Sequence, residues 1–200
     1  MVTTVYLIRH GATEGSSLKR YKGSLNVPLS EEGERQVEAT SLLLRDIPLK
    51  AVYTSTLQRA IKSAEVIASH HNLAPTPIHG LRERGFGVWE GISYDEIREK
   101  YPSEFEAWAD NPLRFSPMGG ESTLEVKGRV IQALAEILSG HNGDAIAIVA
   151  HGGVNRIMLC EFLGIPLENI FRIEQDFACL NIIELWESGP VVKLLNGRPL

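Results

Sequence analysis

The sequence predicts an α/β fold: a three-layer α/β/α sandwich with a mostly parallel central sheet and an insertion that lids one edge. Three observations predict it. Strand-like segments alternate with helical patterns of roughly 10–15 residues, the signature of right-handed βαβ units and parallel strands. The run "DAIAIVA" (Asp144–Ala150) ends in an unbroken apolar stretch containing Ile146, Ile148 and Val149, as a central strand covered on both faces must. The stretch 80–122 carries only two short helical patterns and reads as an excursion from the alternating scheme.

The elements follow in order. Val5–Ile8 is the first strand. "SEEGERQVEATSLLL" (Ser30–Leu44) opens with a capping box built on Ser30, Gly33 and Glu34, has acids in its first turn, and continues with a helical apolar period. Ile47-Pro48 ends it. "AVYTS" (Ala51–Ser55) is the second strand. "LQRAIKSAEVIASHH" (Leu57–His71) is the second helix, with Ala60, Ile61, Ala64, Ile67 and Ala68 on one face. "TPIH" (Thr76–His79) is a short third strand. "YDEIREKY" and "SEFEAWADN" are the short helices of the insertion, which closes on "SPMGGES". "TLEVKGRVIQALAEILSG" is a third long helix closed by Gly140. After the strand Ala145–Ala150, "GGVNRIMLCEFLG" forms a helix ending at Gly164-Ile165-Pro166. "CLNIIELWE" and "PVVKLLN" are two strands joined by "SGP", predicted as a hairpin at the sheet edge. No repeat, low-complexity tract or linker interrupts the chain, so one domain over residues 1–200 is expected.

Composition bounds the function. The chain has 200 residues, 44% apolar and 22% charged, an ordinary globular mix with enough length for one sizeable core. Its net charge is −5 with scattered Lys and Arg, which argues against a nucleic-acid surface. Any bound anion must be met by a few locally placed cations. Cys160 and Cys179 have no metal-type spacing and read as two core thiols in a reducing compartment. The N-terminus lacks a basic region followed by an apolar run, and no apolar run reaches the roughly 18 residues of a membrane span. The expectation is a cytoplasmic protein without membrane contact.

In parallel α/β sheets ligands gather beyond the carboxyl ends of the strands. The first strand ends at Arg9-His10-Gly11. The second ends at Thr54-Ser55, with Arg59 on the first turn of the following helix. The third leads into "LRERG", which carries Glu83. The strand Ala145–Ala150 ends at His151-Gly152-Gly153. Topology alone therefore gathers two histidines, two arginines and a carboxylate at one edge. Gly11 reads as the point where the backbone turns tightly to approach a ligand. Helix N-termini after Gly11 and Gly152 would add backbone N–H donors to the same anion. Arginine forks match phosphate oxygens, a neutral histidine is a nucleophile, and a glutamate supplies the proton a leaving oxygen needs. Metal-free phosphoryl transfer through a phosphohistidine uses all five.

Other residues read more plainly. His70, His71, His79 and His141 are expected at the surface, and no spacing argues for a metal site. One of Arg82 and Arg84 is expected in a structural ion pair. Trp89, Phe105 and Trp108 form either a satellite core or an apolar wall over the substrate. The chain has no G-x-x-x-x-G-K-[ST] and no G-x-S-x-G, so neither a P-loop nor a serine hydrolase is indicated.

The blocks "LIRHGATEG", "YKGSLNVPLSEEGERQ", "YTSTLQRAIKSAEVI", "LRERGFGVWEG", "GGES" and "VAHGGVNRIMLCEFLGIPLEN" resemble, in order and spacing, the histidine phosphatase (phosphoglycerate mutase-like) superfamily over nearly the whole chain. The resemblance implies that His10 is the nucleophile, that Arg9, Arg59 and His151 form the phosphate pocket, and that Glu83 is the proton donor. It also implies that Lys22 and Gly23 line the substrate mouth and that Gly152 offers a backbone donor. Six residues after the nucleophile, where the family often has Asn, this chain has Ser16, which is shorter and offers one donor instead of two. "ERGFG" in place of "ERHYG", and the short length, look like the phosphatase branch. The C-terminal blocks are similar to α-ribazole phosphatases, which act late in cobalamin assembly. The expected reaction is cofactor-free hydrolysis of a small-molecule phosphate monoester by a monomer or homodimer. The alternatives are a phosphoglycerate mutase and a phosphate-binding module without turnover.

Overall fold

The computed structural model describes residues 1–199. Six strands form one sheet: β1 (Thr3–Arg9), β2 (Leu49–Ser55), β3 (Thr76–Ile78), β4 (Ala145–Ala150), β5 (Leu180–Trp186) and β6 (Gly189–Gly197). Their spatial order is β3-β2-β4-β1-β5-β6. The pairs β3–β2, β2–β4 and β4–β1 are parallel, while β5 and β6 add antiparallel strands at one edge. The edge hairpin and the mostly parallel sheet are as the sequence predicts. The central β4 is buried along its length except at Ala145, which explains its unbroken apolar run.

Helices cover both faces and complete three layers. On one face α1 (Glu31–Leu44) and α2 (Gln58–Ser69) press Leu44, Ala64, Ile67 and Ala68 against Ile8, Val52, Ala147 and Val149. On the other, α5 (Thr123–Ser139) and α6 (Gly152–Leu163) bring Val126, Val130, Leu134, Val154 and Met158 against Val5, Leu7, Ile146 and Ile148. The alternation of these two apolar sets along β1 and β4 is the period-two pleat of the strand.

The helix ends differ from expectation in one detail. Ser30 caps α1 by accepting from the Gly33 N–H, but Gly33 has no side chain to return the bond, so no box forms there. Two full capping boxes stand elsewhere, Ser93 with Glu96 at α3 (Tyr94–Lys100) and Ser122 with Glu125 at α5. A second short helix, α4 (Pro102–Asp110), follows α3.

The Gly11 expectation is also corrected. No helix begins after Gly11: the chain makes a bridge from Thr13 to Leu29 and a 3₁₀ turn at Ser16–Leu18 before α1. A Cβ at Gly11 would lie 2.3 Å from the Gly33 carbonyl oxygen. The glycine therefore admits close packing of α1 against the end of β1, and its partner Gly33 does the same from the other side. α6 begins directly after the end of β4, where it can present helix N-terminal donors.

Candidate active site

The β1–β4 pairing builds the centre of the site. These strands are in register through Arg9↔Ala150, and the His10 N–H donates to the Ala150 carbonyl at 3.0 Å. The next residue on each strand is a histidine, so His10 and His151 meet edge-on with ring centroids 5.1 Å apart. His10 is 5% exposed and His151 fully buried.

His10 Nδ1 lies 2.7 Å from the Gly11 carbonyl, which only accepts, so Nδ1 carries the hydrogen. The Nε2 lone pair is left facing the pocket, where it accepts from Arg59 Nε at 3.3 Å. Burial foremost, then the Arg9 and Arg59 charges, hold His10 well below the ordinary imidazole range. The ring is thus neutral and oriented with Nε2 outward.

Both arginines are fixed through carbonyls. Arg59 is 2% exposed and donates from Nη1 to Leu25 O and from Nη2 to Gly23 O, each at 2.7 Å. Burial pushes its pKa down to about 10, against the opposing pull of Glu83. Arg9 donates from Nη1 to Gln175 O at 2.6 Å, and its guanidinium carbon lies 4.0 Å from the Phe177 ring centroid. Arg9 Nε and His151 Nδ1 are each buried without a partner. A buried polar nitrogen without a partner is costly unless a ligand meets it.

Glu83 is held by backbone alone. Its Oε1 accepts from the Arg84 N–H at 3.0 Å and its Oε2 from the Gly153 N–H at 3.1 Å, on the first turn of α6. The expected ion pair at its neighbours is not what they form. Arg84 bonds Phe115 O, Glu121 O and Thr123 Oγ1, and Arg82 bonds Thr56 Oγ1. The carbonyls of Gly80, Arg82 and Glu83 all accept from Arg129, itself paired with Glu121 at 2.8 Å.

Two cavities meet at this site. The first is lined by His10, Arg59, Ser16, Lys22, Gly23 and Phe177. Ser16 sits at its rim in the 3₁₀ turn, and Lys22 Nζ is tied to Thr13 Oγ1 and the Glu14 carbonyl. The second, of about 250 Å³, is walled by Trp89, Tyr94, Phe105, Trp108, Phe171 and Gly152. Arg9, Tyr21, Glu83 and Phe86 line both. Trp89 stacks on Phe115 at 5.3 Å and meets Trp108 edge-on, so the insertion aromatics are at once a small core and a cavity wall. Trp89 Nε1 is buried without a partner.

All the predicted site residues except His151 line one or both cavities; His151 lies directly beneath His10. Sequence reasoning missed Phe177, Arg129 and the Gln175 carbonyl, none of which has a spacing signal. His141 is not a surface residue but bonds Asp144 and Tyr53 below the sheet. Cys160 and Cys179 are free and buried. Among the described residues no cluster of three or more His, Cys, Asp or Glu could hold a metal ion, and no helix is long and apolar enough to cross a membrane.

A histidine pair, the buried Arg59, the half-buried Arg9 and a carboxylate gathered at these strand ends suit phosphoryl-transfer chemistry, and the profile of the histidine phosphatase superfamily (branch 1) matches residues 5–198. The chain belongs to the histidine phosphatase superfamily. It is 32% identical to phosphoserine phosphatase 1 of Hydrogenobacter thermophilus, over 95% of this chain and 90% of that one. It is 26% identical to the adenosylcobalamin/alpha-ribazole phosphatase of Escherichia coli, over 98% and 97%. The crystal structure of the alpha-ribazole phosphatase from Shigella flexneri superposes with a TM-score of 0.91 at 27% identity, covering 98% of both chains. This histidine phosphatase thus shares its α/β fold and phosphatase activity with its relatives.

Proposed function

We propose that this phosphatase hydrolyses phosphate monoesters through a phosphohistidine formed on His10 Nε2, and that its preferred substrate carries an aromatic alcohol portion, as α-ribazole 5'-phosphate does. The observation that carries the first part is the His10 hydrogen bond to Gly11 O at 2.7 Å, which leaves a neutral Nε2 lone pair beside Arg59.

In the first step the Nε2 lone pair attacks phosphorus in line and the ester P–O bond breaks. Arg9, Arg59 and His151 hold the non-bridging oxygens, and the Gly152 N–H at the start of α6 adds a backbone donor. The leaving oxygen takes its proton from Glu83, which lies on the border of the two cavities, where the scissile bond would fall. In the second step a water gives its proton to the Glu83 carboxylate and attacks phosphorus. The P–N bond breaks and the electron pair returns to His10. Ser16, Lys22 and Gly23 contact substrate at the phosphate mouth. The segment 80–122 acts as a lid that keeps bulk water from the intermediate. No metal or nucleotide takes part.

The substrate preference is supported by the aromatic cavity beyond Glu83. Its Trp, Tyr and Phe walls suit a bicyclic aromatic base. A serine would leave most of this space to water. The test compares kcat/KM for α-ribazole 5'-phosphate, L-phosphoserine and p-nitrophenyl phosphate, with 3-phosphoglycerate plus bisphosphoglycerate as a mutase control. The reading expects α-ribazole 5'-phosphate to lead by at least tenfold. A preference for phosphoserine, or mutase turnover, overturns it.

A further inference from the structure

Ser55 ends β2 fully buried, and no step above uses it. Its Oγ lies 2.8 Å from His151 Nε2 and accepts from the Leu57 N–H at 3.2 Å. On the opposite side of the same ring, Nδ1 is buried with no partner. A hydroxyl has one hydrogen and two lone-pair positions. The Leu57 N–H occupies one lone pair, and the hydrogen is free to point at His151. Burial foremost, then the neighbouring His10, Arg59 and Arg9, keep that ring neutral, so one of its nitrogens must be an acceptor.

The two tautomers have opposite consequences. With the hydrogen on Nε2, the ring donates to Ser55 and turns the Nδ1 lone pair toward the bound anion. With the hydrogen on Nδ1, Ser55 donates to Nε2 and the ring offers the anion a donor. We propose that Ser55 is a positioning residue that fixes His151 as its Nδ1–H tautomer, so that His151 donates to the transferring phosphoryl group as a neutral ring. The inference rests on the phosphohistidine reading for its kinetic consequence but not for the tautomer itself.

The resting protein tests the tautomer directly. In ¹⁵N-histidine-labelled enzyme, long-range ¹H–¹⁵N spectra distinguish a protonated ring nitrogen from an unprotonated one, and His151→Asn assigns the signals by their loss. The expected pattern near neutral pH is a protonated Nδ1 and an unprotonated Nε2. The reverse pattern overturns the proposal, whatever the fate of the phosphohistidine reading. Kinetics supply the second arm. Ser55→Ala should lower kcat/KM at least tenfold, and Ser55→Thr, which keeps the hydroxyl, should recover most of it. In a His151→Asn background the side-chain amide donates without any tautomer to fix, so adding Ser55→Ala should cost less than twofold. An equal loss in both backgrounds would mean that Ser55 acts only through the turn leading to Arg59, and the proposal fails. Trapping phosphate on His10 separately decides the underlying reaction.

Discussion

Replacing Gly153 with alanine isolates the placement of Glu83. Gly153 is in the first turn of α6 with ordinary helical backbone, so alanine suits the helix and favours it by about 0.5–1 kcal/mol. A Cβ there would stand 2.6 Å from Glu83 Oε1, about 0.8 Å inside the 3.4 Å at which ordinary contact begins. The other atoms it approaches are the remaining carboxyl atoms of Glu83. The flexible side chain gives way and the backbone does not. The carboxyl group therefore leaves the seat made by the Arg84 and Gly153 N–H groups at 3.0 and 3.1 Å. A catalytic group misplaced on this scale costs about 10²-fold, or about 2.7 kcal/mol of barrier. Alkyl phosphates, whose leaving oxygen needs a proton, should lose about that factor in phosphorylation rate. The pre-steady-state burst of p-nitrophenol from p-nitrophenyl phosphate should keep its rate, because that leaving group departs unaided. The melting temperature should stay level or rise. Equal loss across leaving groups, or no loss, would refute the role given to Glu83. A fall in melting temperature would refute the claim that only its side chain yields.

Arg59→Lys should lower kcat/KM at least tenfold, about 1.4 kcal/mol, because an ammonium cannot span Leu25 O, Gly23 O and a phosphate together; a kinetically silent variant removes Arg59 from the pocket. Stability should fall on acidification. His10 and His151 have folded pKa values below the unfolded value of about 6.5, so the unfolded chain takes up protons first and stability is lost as pH falls through that value. Each contributes a slope of up to about 1.4 kcal/mol per pH unit, and urea unfolding from pH 7 to 5 should show a shallower slope for His10→Gln than for the unsubstituted protein; identical slopes contradict the assignment. Activity should survive dialysis against EDTA, since Arg9 and Arg59 already neutralise the phosphoryl oxygens. Loss that Mg²⁺ restores would mean that the charge balance is wrong.

What the sequence made legible follows from short-range rules. His10 and His151 could be placed because each ends an apolar strand, and ligands gather where such strands end. That the two strands are neighbours comes from the β4 insertion between β2 and β1, which strand order in sequence does not reveal. Gly11 was legible as a constraint but not as this constraint. Its cause is the carbonyl of Gly33, and the one hint was a glycine in the first turn of a helix. The neighbours of Glu83 look like ion-pair partners in sequence. Adjacent residues of an extended segment point to opposite sides, however, and Arg84 reaches the insertion carbonyls instead. Phe177 and Arg129 act over long separations through an aromatic face and a set of carbonyls, contacts that leave no periodic mark.

The central claim is a covalent phosphate on His10 Nε2. Glu83→Gln should remove the base of the second step and allow the intermediate to accumulate. This variant, mixed with p-nitrophenyl phosphate and quenched in alkali, should release one equivalent of p-nitrophenol per active site. Peptide mass spectrometry should then find phosphate on His10, and ³¹P spectra should identify the Nε2 isomer. Phosphate on the Nδ1 isomer or on any other residue, or turnover with no trapped intermediate and no burst, would contradict the account.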